Sequence, residues 1–192
     1  MIKNNFLPWL FMLWICSGLT QVMADEITVR DFALYEGESK EILVADIRFE
    51  HRLTDYLRAS LLNGITLRSE IRFDLNWHND WWWNKTEKLD SITADLTYDA
   101  LSRQYQLVSK NSGKSWNFSN LAAALEHIGI VRKHALPALS DSAFKGDASI
   151  YIEARLQPVV AKSLDIPSKL SSLFGGEEHQ LVSQGVLWPL TP

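Results

Sequence analysis

Between Ile65 and Leu75 the chain alternates with a period of two. Ile65, Leu67, Ile71, Phe73 and Leu75 are apolar, while Arg68, Glu70, Arg72 and Asp74 take the intervening positions. Successive side chains of an extended strand point to opposite faces, so the pattern demands a long strand with one dry and one wet face. The dry face needs another layer packed over it. The wet face favours an antiparallel sheet over a parallel one buried on both sides.

The same period marks residues 26–34, 91–98 and 148–156, the last closed by Pro158, and strands are also read at 42–49, 103–108 and 180–188. Turn chemistry at Glu36-Gly37-Glu38-Ser39 and at Asn111-Ser112-Gly113-Lys114 separates them. Helical spacing is brief. Thr54 is placed to cap a helix with Leu53, Leu57 and Leu61 on one face, ended by Asn63-Gly64. Ser119 is read as the cap of a second helix, residues 120–128, stopped by Gly129, and residues 166–174 are read as a short third one. The predicted class is α+β: a predominantly antiparallel β-sheet or sandwich with two or three short helices. With no repeat, low-complexity stretch or long linker, residues 25–192 are read as a single domain.

The first 24 residues read differently. Lys3 supplies a short basic start, Phe6 to Leu19 is an uncharged and mostly apolar run, and Val22-Met23-Ala24 offers a compact residue at −3 and a small one at −1. These are the parts of a secretory signal peptide cleaved after Ala24. The run is about 14 residues, short of the roughly 20 that a membrane-crossing helix needs. Cys16 lies behind bulky Trp14 and Ile15, which disfavours lipid attachment there. Cleavage removes the only cysteine and all three methionines, leaving a domain with neither disulfides nor thiolate chemistry. The formal charge of −4 for the whole chain becomes one unit more negative without Lys3, which argues against a nucleic-acid partner. No later segment has the length of a membrane span.

The segment Trp77-His78-Asn79-Asp80-Trp81-Trp82-Trp83 is the most unusual in the chain. It is read as a hairpin turning around His78-Asn79-Asp80. An extended arm would send Trp81 and Trp83 to one face and Trp82 to the other. Trp77, Trp81, Trp82 and Trp83 are therefore the candidate contact residues for a ligand or partner, with core packing and a lipid interface as the competing uses of the same indoles. His78 and Asp80 share a strand face, but two donors hold no metal firmly, and neither a metal nor a cofactor is expected. Asp74, Asp80 and Glu87 lie near the aromatics and would be the carboxylates of a glycan hydrolase. There is no nucleophile elbow, P-loop or dinucleotide fingerprint. His51 is read as a surface histidine, His127 as a helix C-terminal one, and His134 as having no recognisable partner.

Several segments occur together in order: Leu62 to Leu67, the tryptophan hairpin, Leu96-Thr97-Tyr98-Asp99 to Leu107, Leu121 to Leu125, Tyr151 to Leu156 and Leu164 to Pro167, then Ser183 to Trp188. In these the chain resembles a family of exported bacterial proteins, domain of unknown function 4390. The hairpin here lacks the arginines associated with that position in the family. The resemblance implies a periplasmic protein of a Gram-negative bacterium and carries no catalytic residues. By analogy it implies an accessory role beside a sensor kinase. The expectation is a non-enzymatic envelope module binding another protein or a small ligand. A cell-envelope glycan hydrolase and a peripheral membrane protein are the alternatives.

Overall fold

The alternation at 65–75 forms the centre of the fold. The computed structural model describes residues 27–39, 41–77, 85–145, 147–159 and 180–190. The strands are β1 (Ile27–Glu36), β2 (Leu43–His51), β3 (Leu67–Trp77), β4 (Lys85–Asp99), β5 (Gln104–Ser109), β6 (Ser115–Phe118), β7 (Ile130–Ala135), β8 (Ala148–Pro158), β9 (Leu181–Val182) and β10 (Val186–Pro189). Three short helices join them: α1 (Asp55–Leu62), α2 (Leu121–Gly129) and α3 (Asp141–Lys145). A large sheet runs β10-β8-β3-β4-β5-β6, with β9 also paired to β8, and a small sheet runs β1-β2-β7. Every described strand pair is antiparallel, as the one-sided alternation requires.

β3 is flanked by β4 and β8 along its whole length, so neither of its edges is open. Leu67, Ile71, Phe73 and Leu75 are buried together with Ile150, Ile152, Ala154 and Leu156 of β8 in one core cluster. Burying a side chain the size of Phe73 contributes about 2–3 kcal/mol. The small sheet covers this face. Phe32 of β1 meets Trp188 of β10 edge-on at 5.4 Å, and His134 of β7 stacks on Phe73 at 5.4 Å.

Local chemistry explains the element ends. Thr54 caps α1, its hydroxyl accepting from the Leu57 amide at 3.0 Å, and Leu57 and Leu61 are fully buried as their spacing predicted. The cap of α2 is Asn120 rather than Ser119, its side-chain oxygen accepting from Ala123 at 2.8 Å; Gly129 is the last helical residue. The expected final strand over 180–188 is two short strands. Between them Ser183 buries its hydroxyl and accepts the Ala154 amide at 2.9 Å, and a Cβ on Gly185 would fall inside the Tyr151 ring. With no side chain at residue 185 the backbone passes close by that ring, which a larger residue would have to displace.

Two strands were not foreseen as such. β7 contains Arg132 and Lys133, and Lys133 has φ 49°, so its alternation is broken within six residues. The break matches a register shift between Ala45 and Ile47 of β2, where the Asp46 carboxylate accepts the Lys133 amide at 2.6 Å. β6 is a short edge strand beside β5. The signal peptide at residues 1–24 and the helix expected at 166–174 lie outside the described residues. Among the described residues no helix is long and apolar enough to cross a membrane.

Candidate functional site

Trp77 ends β3 on its core-facing side, paired in register with Lys85 and with Ala148. It is half-buried against the core, and its indole nitrogen is buried with no hydrogen-bond partner among the described residues. Trp81, Trp82 and Trp83 lie outside the described residues, as does the turn expected at 78–80.

The wet face of β3 is a lattice of ion pairs. Arg68 donates two hydrogen bonds to Asp95, at 2.8 and 3.0 Å, and this contact holds the Asp95 carboxyl below its ordinary range, with Lys110 adding at 3.3 Å. Arg72 lies 2.7 Å from Asp74, an ion pair without hydrogen-bond alignment, and 3.9 Å from Glu153. Arg155 and the Tyr151 hydroxyl both donate to Glu153, each at 3.1 Å. Burial, then the Glu153 charge, raises the Tyr151 phenol. Of the carboxylates considered for hydrolysis, Asp74 is only 4% exposed and neutralised by Arg72, and Glu87 pairs with Lys85 at 3.5 Å. Asp80 lies outside the described residues. Among the described residues no group of three or more metal-ligating side chains comes together.

A deeper feature lies where β1 and the end of β2 face α1 and α2. It is a cleft of about 860 Å³ lined by Arg30, Arg48, Arg52 and Arg58, with Asp31, Glu50 and Glu126 as its carboxylates. Glu50 is committed: it pairs with Arg30 and with Arg52 (3.1 Å), which hold its carboxyl below the usual range. Arg48 and Arg58 have no ion-pair partner among the described residues. The apolar walls come from Phe49, Leu53, Leu121 and Leu125. The positive end of α2 lies here as well, with no acidic residue in its first turn.

His51 lines this cleft and is only 8% exposed, which corrects the expectation of a surface histidine. It continues the inward-facing set Leu43, Ala45, Ile47 and Phe49 of β2 by one more step. Both ring nitrogens are buried without a hydrogen-bond partner among the described residues, and burial pushes the imidazole down to about 4. It is therefore neutral at pH 7. The closeness of α2 depends on Gly129: a Cβ there would fall on the Phe49 carbonyl oxygen and 3.2 Å from His51 Nδ1. The period of two, carried past Phe49, was the signal that could have found His51.

The other two histidines among the described residues have structural partners. His134 Nε2 is 2.9 Å from Asp90 of β4, tying the two sheets together, and this corrects its reading as partnerless. His127 lies in the last turn of α2 as expected, with its ring 4.7 Å from Trp116 and 5.4 Å from Phe118. A second cleft of about 720 Å³ crosses the bulged part of the small sheet, lined by Arg48, Arg132 and Lys133 among others.

Fold and site thus define an α+β protein of two antiparallel sheets, with an arginine-rich cleft at the junction of the small sheet and two helices. The chain belongs to the family described as Domain of unknown function (DUF4390), whose model matches residues 24–162. That span holds the whole of the cleft lining and Trp77. No curated protein and no solved structure matches the chain.

Proposed function

We propose that this chain is an exported, non-catalytic binding module of the bacterial cell envelope, holding a ligand or partner rather than transforming it. The observation that carries the reading is the cleft: it has apolar walls, an excess of arginines over carboxylates, and a buried neutral histidine whose ring nitrogens bond to no nucleophile or carboxylate among the described residues. General acid–base work needs a titrating group poised near the working pH with a proton to move. His51 at about 4, with no partner among the described residues, suits recognition better. The hydrolase alternative is weakened by the pairing of Asp74 with Arg72. The periplasmic setting and an accessory role beside a sensor kinase come from the family resemblance and belong to the same proposal.

The test is photocrosslinking in living cells from a reactive residue at Arg58 in the cleft and, separately, at Trp82. A discrete adduct identified by mass spectrometry at either position, absent from a control site such as Leu101, supports the module. Release of sugar fragments from purified envelope glycan by the protein would instead establish the hydrolase.

A further inference from the structure

We infer that the open edge of β10 takes up a short, uncharged strand of another protein, paired antiparallel at Leu187, with its apolar side chains on Leu187 and on the seam between Trp188 and Phe32. β10 lines neither cleft, so the inference does not depend on the cleft reading. β10 is the last strand of the large sheet: β8 lies on one side, and no described strand lies on the other. Register fixes what the open side offers. Leu190 donates its amide to Ala148 at 2.9 Å, and main-chain bonding alternates along an antiparallel ladder, so Trp188 and Val186 also turn their main-chain groups to β8. The N–H and C=O of Leu187 and the C=O of Pro189 therefore point to the open side. Pro189 stands where a missing N–H costs no bond to β8.

The outer strands of the two sheets are guarded unequally. β1 carries Arg30, Asp31 and Glu36 and a register shift at Arg30, and β7 carries Arg132 and Lys133; charges and bulges of this kind block strand addition. β6 exposes Ser115 and Asn117 and half-buries Trp116 and Phe118 beside His127. β10 has no charged residue, and Leu187 is 59% and Trp188 39% exposed. Size decides the occupant. Two exposed side chains on four residues offer far less than the roughly 800 Å² per partner that a stable dimer buries. An added strand needs less, because main-chain bonds supply its affinity and alternate side chains its specificity. Its residue opposite Leu187 exchanges both main-chain bonds, and the neighbours of that residue turn to the other face, towards Trp188 and Phe32. A charge at those positions would lose water without gaining a partner.

Selection of displayed random peptides on the purified protein tests this, with the enriched sequences synthesised with capped ends and measured by fluorescence anisotropy. Enriched peptides should be uncharged at their centre, apolar at alternate positions, and bound with Kd below about 1 mM. Leu187→Pro deletes the outward N–H without taking a bond from β8, and should keep the melting temperature while weakening binding roughly tenfold or more. Leu187→Ala keeps that N–H and should weaken binding less. In the unaltered protein the Leu187 amide should exchange quickly with deuterium, and at least roughly tenfold more slowly once peptide is bound. No enriched peptide, peptides without the period of two, equal weakening by the two variants, or a Leu187 amide that peptide leaves unprotected would each overturn the inference. A concentration-dependent dimer in sedimentation equilibrium that Leu187→Pro abolishes gives the edge to a second copy and overturns it likewise. None of these outcomes bears on crosslinking at Arg58, so the cleft reading is tested separately.

Discussion

His51 gives the structure a measurable acid sensitivity. Its imidazole falls from an unfolded value of 6.5 to about 4 because burial disfavours the charged form. Between those values the unfolded chain binds the proton that the folded chain refuses, so stability rises with pH across that interval. The contribution is fully present above pH 6.5, is lost as pH falls towards 4, and changes no further below it. At 1.36 kcal/mol per unit, the difference is about 3 kcal/mol. Carboxylates held low by their partners, such as Asp95 with Arg68, lose their contributions mainly below this window. Comparison with His51→Phe, which keeps a ring but cannot titrate, cancels what the two proteins share. Urea unfolding at about pH 7.5 and about pH 4 should show the wild type losing about 3 kcal/mol more than the variant, with similar m-values. In the folded protein the His51 ring signal in NMR should show no titration near 6.5. Parallel pH dependences of the two proteins, or a ring titrating at its ordinary value, would refute the burial argument.

Three other perturbations probe the frame around the cleft. Gly129→Ala drives a Cβ onto the Phe49 carbonyl, where backbone must move; a loss of about 3 kcal/mol in chemical denaturation is expected, against near neutrality for a substitution on an open surface. Arg72→Met leaves Asp74 buried without its nearest cation and should cost about 2 kcal/mol, with recovery in the Arg72→Met/Asp74→Asn double variant; failure of that rescue would locate the effect in packing. Thr54→Ala removes the cap of α1 and should cost about 1 kcal/mol, read as a lower urea midpoint, while Thr54→Ser should not.

The antiparallel α+β architecture, the wet and dry faces of β3 and the cap at Thr54 were determined by the sequence itself. Each follows from side-chain spacing over a few residues, and the backbone geometry converts spacing directly into direction. The family was legible on the same basis, from short segments in a fixed order. The tertiary structure alone decided what lies against each face. β7 escaped because Lys133 adopts a left-handed conformation that interrupts alternation, and only Asp46, distant in sequence, makes sense of it. His134 gained its partner when β7 folded over β4. The arginine cleft draws on β1, β2, α1 and α2, so no local window of sequence contains it. His51 shows the division most plainly: periodicity can assign it to the inward face of β2, but its burial and displaced titration depend on a helix that approaches only because residue 129 has no side chain.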